Sequence, residues 1–271
     1  MVLLRWHADP VVAAGIALLA FAGIWAVRRV PSVPRARRRW FSLALLVLVL
    51  ALMSPLATVA EERFSVHMVQ HLLLSYVAAP FLALSAPVTV ALQALGPGRG
   101  RRRLLAVLHS RVLAVVAHPV VAWVAFAVVM YVTHFSPLYD AALGSSVLHG
   151  LEHVLYLSAA CLFWWPVVRR DPVPGSFPWP ARLLYLFLAM PLQSFLGVAI
   201  YSSDSVLYDH YAARLWAGAL ADQQLAGALM WGAGDAAMLT ALACALAAWM
   251  RHDARETVRL DAQLDALRAG R

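Results

Sequence analysis

The chain has 271 residues, of which 62% are hydrophobic and 13% charged, and its mean hydropathy is +0.72. This composition is too apolar for a water-soluble domain of this length and indicates an integral membrane protein. The formal charge of +8 comes from arginines in short clusters between apolar runs, a pattern typical of topology signals and not of nucleic-acid binding. Cys161 and Cys244 have no CxxC spacing, so neither a disulfide framework nor a thiolate metal site is predicted.

Seven apolar runs are each long enough to cross a hydrocarbon core, which takes about 20 helical residues. In chain order they are residues 11–27, 41–59, 65–92, 112–133, 147–168, 183–201 and 224–250. Prolines inside two of these runs, Pro80, Pro87 and Pro191, predict kinks packed against neighbouring helices. The predicted fold class is therefore all-α, a polytopic membrane protein with a seven-transmembrane-helix bundle over residues 1–250. Residues 251–271 pair opposite charges at helical spacing and predict an amphipathic cytoplasmic tail.

Arginines fall unevenly on the two sides of this predicted bundle. Of the 22 basic residues, all arginines, 19 lie in the linkers after the first, third and fifth runs or in the tail. The other side holds only Arg5, Arg63 and Arg214. By the positive-inside rule, the N-terminus is expected outside and the C-terminus in the cytoplasm. Because an arginine pair follows the first run and no small-residue cleavage site appears, that run is expected not to be a cleaved signal peptide.

Histidines collect on the predicted outer side. His67 and His71 open the third run, His149 and His153 open the fifth, and His134 closes the fourth. Residues four apart share one helix face, so each pair can offer two nitrogens to one ion. Imidazole suits copper, zinc, iron and nickel, and copper or zinc is favoured on ligand type. These five histidines are the predicted metal ligands, with His71 and His153 as the central pair because they lie one turn deeper.

Further polar residues are functional candidates at the same side or within the bundle. Glu152 could hydrogen-bond an imidazole, and Asp140, His210 and Asp222 lie in the predicted outer loops or near them. Asp235 falls near mid-membrane, where an ionisable group is costly and so a functional candidate, with pairing to a Ser, Thr or Tyr of the bundle as the alternative. Met68, one residue from His67, is expected to point off the histidine face and to pack.

Several segments resemble the bacterial CtaG-type cytochrome c oxidase assembly factors. They are HMVQHLLLSYVAAPFLALSAP (67–87), HFSPLYDAALGSSVLHGLEHVLYLSAACLFWWPVV (134–168), YSSDSVLYDHYA (201–212) and DQQLAGALMWGAGD (222–235). The resemblance covers about residues 40–250 and matches the family's histidine positions, its Asp222–Gln223 pair and its Met230–Trp231 pair. It implies a multi-pass protein of the bacterial plasma membrane that assists maturation of a heme-copper oxidase and is not an enzyme. Copper handling at the outer face is expected, with oxidase subunits, extracytoplasmic copper chaperones and membrane lipid as partners.

Other functions are compatible with the same residues. HGLEH (149–153) fits HxxEH, in which two histidines bind zinc and Glu152 acts as the general base of a hydrolase. That function needs a third protein ligand, which His67, His71 or His134 could supply. Bis-histidine heme ligation between the third and fifth helices predicts a Soret band. A scaffold without metal predicts that replacing His71 and His153 by alanine leaves oxidase activity intact.

Overall fold

The computed structural model describes Trp6, residues 9–172 and residues 175–269. The regular secondary structure of this part of the chain is entirely helical, with no strand among the described residues, which confirms the all-α prediction. Short turns join most of the helices. The helices are α1 (Pro10–Arg29), α2 (Arg35–Leu52), α3 (Pro55–Ala60), α4 (Phe64–Leu73), a π-helical turn (Leu74–Ala78), α5 (Ala79–Ser85), α6 (Pro87–Leu95), α7 (Arg99–Leu108), α8 (Arg111–Val116), α9 (Pro119–His134), α10 (Leu138–Leu143), α11 (Ser146–Val168), α12 (Trp179–Tyr201), α13 (Asp209–Leu215), a 3₁₀ turn (Trp216–Gly218) and α14 (Ala219–Ala269).

Five helical segments within the described residues are long and apolar enough to cross a membrane. They are Pro10–Arg29, Phe64–Leu95, Ser146–Val168, Trp179–Tyr201 and Ala219–Ala269. The second predicted run is divided at Met53 and Ser54 between α3 and the 18-residue α2, whose first five residues include four arginines. The fourth predicted run contains the 16-residue α9. The number and apolar character of these helices indicate a membrane protein.

The third predicted run is interrupted where its prolines lie. The π-helical turn comes just before Pro80, and Ala86 takes the left-handed conformation, with φ of 54°, just before Pro87. Proline lacks an N–H and disfavours the helical conformation of the residue before it, which accounts for both irregularities. By contrast, α12 continues as one helix through Pro191.

The fourth predicted run is two helices and not one. The chain leaves the helical conformation at Ala117 and His118, because the residue before Pro119 is pushed into an extended conformation. The His118 ring then accepts a hydrogen bond from the Val120 N–H at 3.3 Å and so caps α9. His118 therefore has a structural role at the start of α9.

Two long helices pack with their backbones in close contact. A Cβ atom added at Gly197 of α12 would lie 2.7 Å from the Trp231 nitrogen, and one at Gly227 of α14 would lie 2.5 Å from the Tyr201 nitrogen. Glycine is therefore required on both helices at this crossing, as is common where membrane helices approach closely. The α14 helix continues without a break beyond Met250, and its described side chains after that residue are exposed.

Candidate metal centre

Side chains accept hydrogen bonds at the N-termini of α4 and α11, the two helices that carry the histidine pairs. The Asp222 carboxylate of α14 accepts hydrogen bonds from the backbone N–H of Ser65, at 3.1 Å, and from its hydroxyl, at 2.5 Å. A carboxylate is favoured at a helix N-terminus, where backbone N–H groups have no helical acceptor. The Ser145 hydroxyl caps α11 in the same way through the Leu148 N–H, at 3.5 Å. The histidine pairs lie within the first eight residues of α4 and α11.

The four histidines of the two HxxxH pairs converge. Ring centres are 4.4 Å apart within each pair, and the His67 ring is 5.1 Å from the His149 ring and 6.2 Å from the His153 ring. The centres of the His71 and His153 rings are 6.0 Å apart. All four rings thus lie at one end of the helix bundle and within reach of one another.

Two groups of side chains have ligand atoms close enough to share an ion. One consists of His67, His149 and His153, and the other of His67, His71 and Glu152, with ligand atoms within 4.8 Å of one another in each group. Ligands of one tetrahedral ion lie about 3.3 Å apart for bonds of about 2.0 Å, so small side-chain rotations are needed. His67 belongs to both groups, whereas the predicted central pair, His71 and His153, is divided between them.

Hydrogen bonds determine which nitrogen of His67 carries the proton. The Tyr211 hydroxyl lies 3.0 Å from the Ala60 carbonyl oxygen, which can only accept, so the hydroxyl donates there. It therefore accepts from Nδ1–H of His67 at 3.1 Å. Nε2 is left with its lone pair, 3.0 Å from Nε2 of His71. Such an outer hydrogen bond is typical of histidines that bind metal.

His134 is held by a similar contact. Its Nδ1 lies 2.7 Å from the Met130 carbonyl oxygen and 3.1 Å from the Tyr156 hydroxyl oxygen. Nδ1 therefore carries the proton. Nε2 lies 3.4 Å from the sulfur of Met68, a residue that is fully buried. The packing role expected for Met68 is present, but its sulfur also touches a histidine nitrogen.

Tyrosines surround the histidines, and no motif of the sequence indicated them as site residues. The Tyr156 ring stacks on His71 with centres 4.0 Å apart, and the Tyr139 ring stacks on His134 at 5.7 Å. The signal available in the sequence was spacing, since Tyr156 follows His153 by one helical turn. Contact with these rings helps to keep the imidazoles in place.

Two more buried tyrosines, Tyr208 and Tyr211, belong to the chain segment that connects α12 to α14. Burial raises the pKa of Tyr208 and of Tyr211, so both hydroxyls stay protonated and can donate. The Tyr208 hydroxyl donates to the His134 carbonyl oxygen at 3.2 Å. The segment before α14 thus supports the cluster from a third side.

Glu152 is buried beside the histidines. Its side chain is 5% exposed, and neither carboxylate oxygen has a hydrogen-bond partner among the described residues. It lies within ligand distance of His67 and His71, which makes it a candidate ligand as well as a hydrogen-bonding group. A buried carboxylate without a partner is costly, and a bound cation would compensate that cost.

A small cavity lies beside the cluster and is lined in part by two of its histidines. Its volume is about 20 Å³, enough for one water molecule, and its polar lining includes Asp9, Glu61, Gln70, His149 and His153. Gln70, the glutamine of the HMVQH segment, donates from Nε2 to the Ala51 carbonyl oxygen at 2.6 Å. The cavity is therefore lined by both carboxylate and imidazole side chains.

Two of the predicted candidates support a loop. The Asp140 carboxylate accepts from the His210 backbone N–H at 3.3 Å, and Nε2 of His210 lies 3.2 Å from the Glu61 carbonyl oxygen. Burial lowers the pKa of His210, which favours the neutral ring. Neither residue belongs to the metal-capable groups found among the described residues.

Gln223 and Asp235 lie on α14 and have different surroundings. Gln223 accepts from the Leu207 N–H at 2.7 Å and donates to the Ser205 carbonyl oxygen at 3.0 Å, so it ties the preceding loop to α14. Asp235 accepts a hydrogen bond from the Ser194 hydroxyl at 2.7 Å. This is the bundle pairing that the sequence analysis gave as the alternative to a functional role.

Comparison with known proteins gives relatives from mycobacteria. The chain is 31% identical over 275 residues to the uncharacterized protein ML1998 of Mycobacterium leprae, covering 96% of this chain and 42% of that protein. It is 31% identical over 279 residues to the uncharacterized proteins Mb0105 of Mycobacterium bovis and MT0111 of Mycobacterium tuberculosis. Each of these two matches covers 98% of this chain and 42% of the relative. The chain thus spans less than half the length of these relatives. No solved structure gives a significant match.

A family model covers almost the whole helical bundle. The model for the cytochrome c oxidase caa3 assembly factor matches residues 18–252, which include every histidine of the cluster and the α14 residues Asp222 and Gln223. The family suggested by the signature segments is thereby confirmed. The chain belongs to the cytochrome c oxidase caa3 assembly factor (Caa3_CtaG) family.

Proposed function

We propose that this protein assists assembly of a heme-copper cytochrome c oxidase by holding copper, as cargo, in its histidine cluster. Family membership supports the role in oxidase assembly. The observation that carries the copper part is the meeting of imidazoles from α4 and α11, with His67, His149 and His153 offering ligand atoms within 4.8 Å of one another. The role needs no catalysis, because binding and release of an ion are enough.

The donor set favours a transition metal over calcium or magnesium. Nitrogen donors outnumber carboxylates in both groups, whereas calcium and magnesium prefer oxygen ligands. Tyr211 holds His67 in the tautomer that presents Nε2, so the ligand is oriented before the ion arrives. Asp9 and Glu61 in the cavity wall would attract a cation toward the imidazoles.

The proposal includes the placement of the chain in a membrane. The five long apolar helices together with α2 and α9 would form a seven-helix bundle in the bacterial plasma membrane. Arginine clusters would lie on the cytoplasmic side, which puts the histidine cluster at the outer face. There it could receive copper from an extracytoplasmic chaperone and contact oxidase subunits, which take up their metal at the same membrane.

Metal analysis of purified protein tests the proposal. Wild type should bind copper, and the variants His67→Ala and His71→Ala/His153→Ala should lose most of it and should lower oxidase activity in cells. The control is His118→Ala, which removes an imidazole that caps α9 and does not belong to the metal-capable groups of the described residues. Copper content and oxidase activity that are unchanged in both cluster variants would refute the proposal.

A zinc hydrolase is the second candidate, because His67 could supply the third ligand that it requires. His67 joins His149 and His153 of the HxxEH motif in one group, and Glu152 is buried beside them. Glu152→Gln separates the two functions. A hydrolase would lose turnover while retaining zinc, whereas an assembly factor would keep its oxidase-related activity in cells.

Heme ligation would need more space between the histidines than the structure has. Ring centres within the cluster are 4.4–6.2 Å apart, and the adjoining cavity holds about 20 Å³. A porphyrin between the histidines would have to part α4 from α11. A Soret band in protein purified from heme-replete cells would nevertheless favour this alternative over copper.

A further inference from the structure

A methionine and a histidine meet next to the four-histidine cluster. The sulfur of Met68 lies 3.4 Å from Nε2 of His134, and the two side chains are 0% and 3% exposed. Met68 follows His67 on α4, and the His134 ring centre is 6.2 Å from that of His71. The pair is therefore buried and adjoins the cluster.

The positions of the protons show that the contact between the Met68 sulfur and Nε2 of His134 is not a hydrogen bond. The Met130 carbonyl oxygen, 2.7 Å from Nδ1 of His134, can only accept, so Nδ1 carries the proton of the neutral ring. The Tyr156 hydroxyl oxygen, 3.1 Å from the same nitrogen, donates its own proton to Thr133, whose hydroxyl in turn donates to a backbone carbonyl. Nε2 and the Met68 sulfur therefore both present lone pairs and no proton between them.

The separation of the two atoms suits two ligands of one ion. Bonds of about 2.0 Å to imidazole nitrogen and about 2.3 Å to sulfur would span 3.4 Å with an angle of about 104° at the ion, close to tetrahedral. A thioether is a soft ligand that selects Cu(I) among the biological metals, whereas zinc and Cu(II) are better served by imidazole or harder donors. A monovalent ion is also the easier charge to hold in a buried apolar position.

We infer that Met68 and His134 form a Cu(I) position beside the histidine cluster. This inference rests on the proposed copper function and names the oxidation state that the protein takes as cargo. His71 lies between the two positions: its Nε2 faces His67, and its Nδ1 has no hydrogen-bond partner among the described residues. An ion can thus be exchanged between an all-nitrogen position and a position that contains sulfur.

Cu(I) competition with a chromogenic Cu(I) chelator, under anaerobic conditions in detergent, tests the assignment. Met68→Leu keeps the volume and apolar character of the side chain and removes the sulfur. It should weaken Cu(I) binding at least about tenfold, the smallest loss usual even for an outer partner of a ligand, and leave zinc binding unchanged. The matched control is Met238→Leu, which removes an equally buried sulfur from α14. Thermal unfolding of both variants checks that the fold is kept.

X-ray absorption of the Cu(I)-loaded protein gives a second readout. Wild type should show a sulfur neighbour at about 2.3 Å, and Met68→Leu should lose it. Copper bound by nitrogen alone in wild type, or equal Cu(I) affinity in Met68→Leu and wild type, would overturn this inference and leave the proposed function standing. A wild-type protein that binds no copper at all would overturn both.

Discussion

Replacing Gly227 by alanine should force α12 and α14 apart where the two helices cross. In Gly227→Ala, the added Cβ would lie 2.5 Å from the Tyr201 nitrogen and 2.6 Å from the Gly197 carbonyl oxygen. Both are backbone atoms and cannot rotate away. Ordinary contact begins at 3.4 Å, so the two helices must separate locally by about 0.9 Å (3.4 minus 2.5).

Two effects of this substitution oppose each other. Replacing a glycine inside a helix by alanine stabilises the helix by about 0.8–1.0 kcal/mol, whereas overpacking costs about 1–3 kcal/mol. Gly232→Ala on the same helix gives the first effect without the second, because its Cβ would meet no atom within 4 Å. The difference between the two variants therefore isolates the packing cost.

Thermal unfolding of the purified protein, followed by intrinsic fluorescence, measures this difference. Gly227→Ala should unfold below Gly232→Ala by about 2–12 °C, at about 2–4 °C per kcal/mol for a chain of this size. The free energy of unfolding of Gly232→Ala should be equal to or above that of wild type. If Gly227→Ala unfolds at the same temperature as Gly232→Ala, the helices do not approach as closely as described.

Three further predictions concern the cap of α4, the outer hydrogen bond of His67 and the tail. Asp222→Ala should lower the free energy of unfolding by about 1.5–3 kcal/mol, because Ser65 loses a charged acceptor, as measured by thermal unfolding. Tyr211→Phe should weaken copper binding about 10- to 100-fold in a chelator competition, because His67 loses the partner of Nδ1–H. A protein that fluoresces only in the cytoplasm should be fluorescent when fused after Ala269, because of the arginine asymmetry.

A different result in each of the three measurements would contradict its prediction. Unchanged stability of Asp222→Ala would mean that the carboxylate does not cap α4. Copper affinity of Tyr211→Phe equal to that of wild type would show that the hydroxyl does not orient the His67 ring. A fusion protein that is fully expressed but not fluorescent would show that the orientation is the reverse of the one proposed. The histidine cluster would then lie on the cytoplasmic side.

The all-helical fold and most helix positions follow from the sequence because they depend on local properties. An apolar run of about 20 residues can satisfy its backbone polar groups in a membrane only as a helix. The boundaries were less predictable where proline acts on the preceding residue. Pro119 divided the predicted fourth run at His118, whereas α12 accommodated Pro191 without a break.

The sequence by itself determined which histidines share a helix face, because a spacing of four residues is enough to place His67 with His71 and His149 with His153. Only the tertiary structure decided which faces meet and what else lies there. The packing of helices distant in the chain makes His67 common to both metal-capable groups, places Glu152 in one of them and sets Met68 against His134. These contacts depend on crossing positions such as the one at Gly197 and Gly227, which no local pattern specifies.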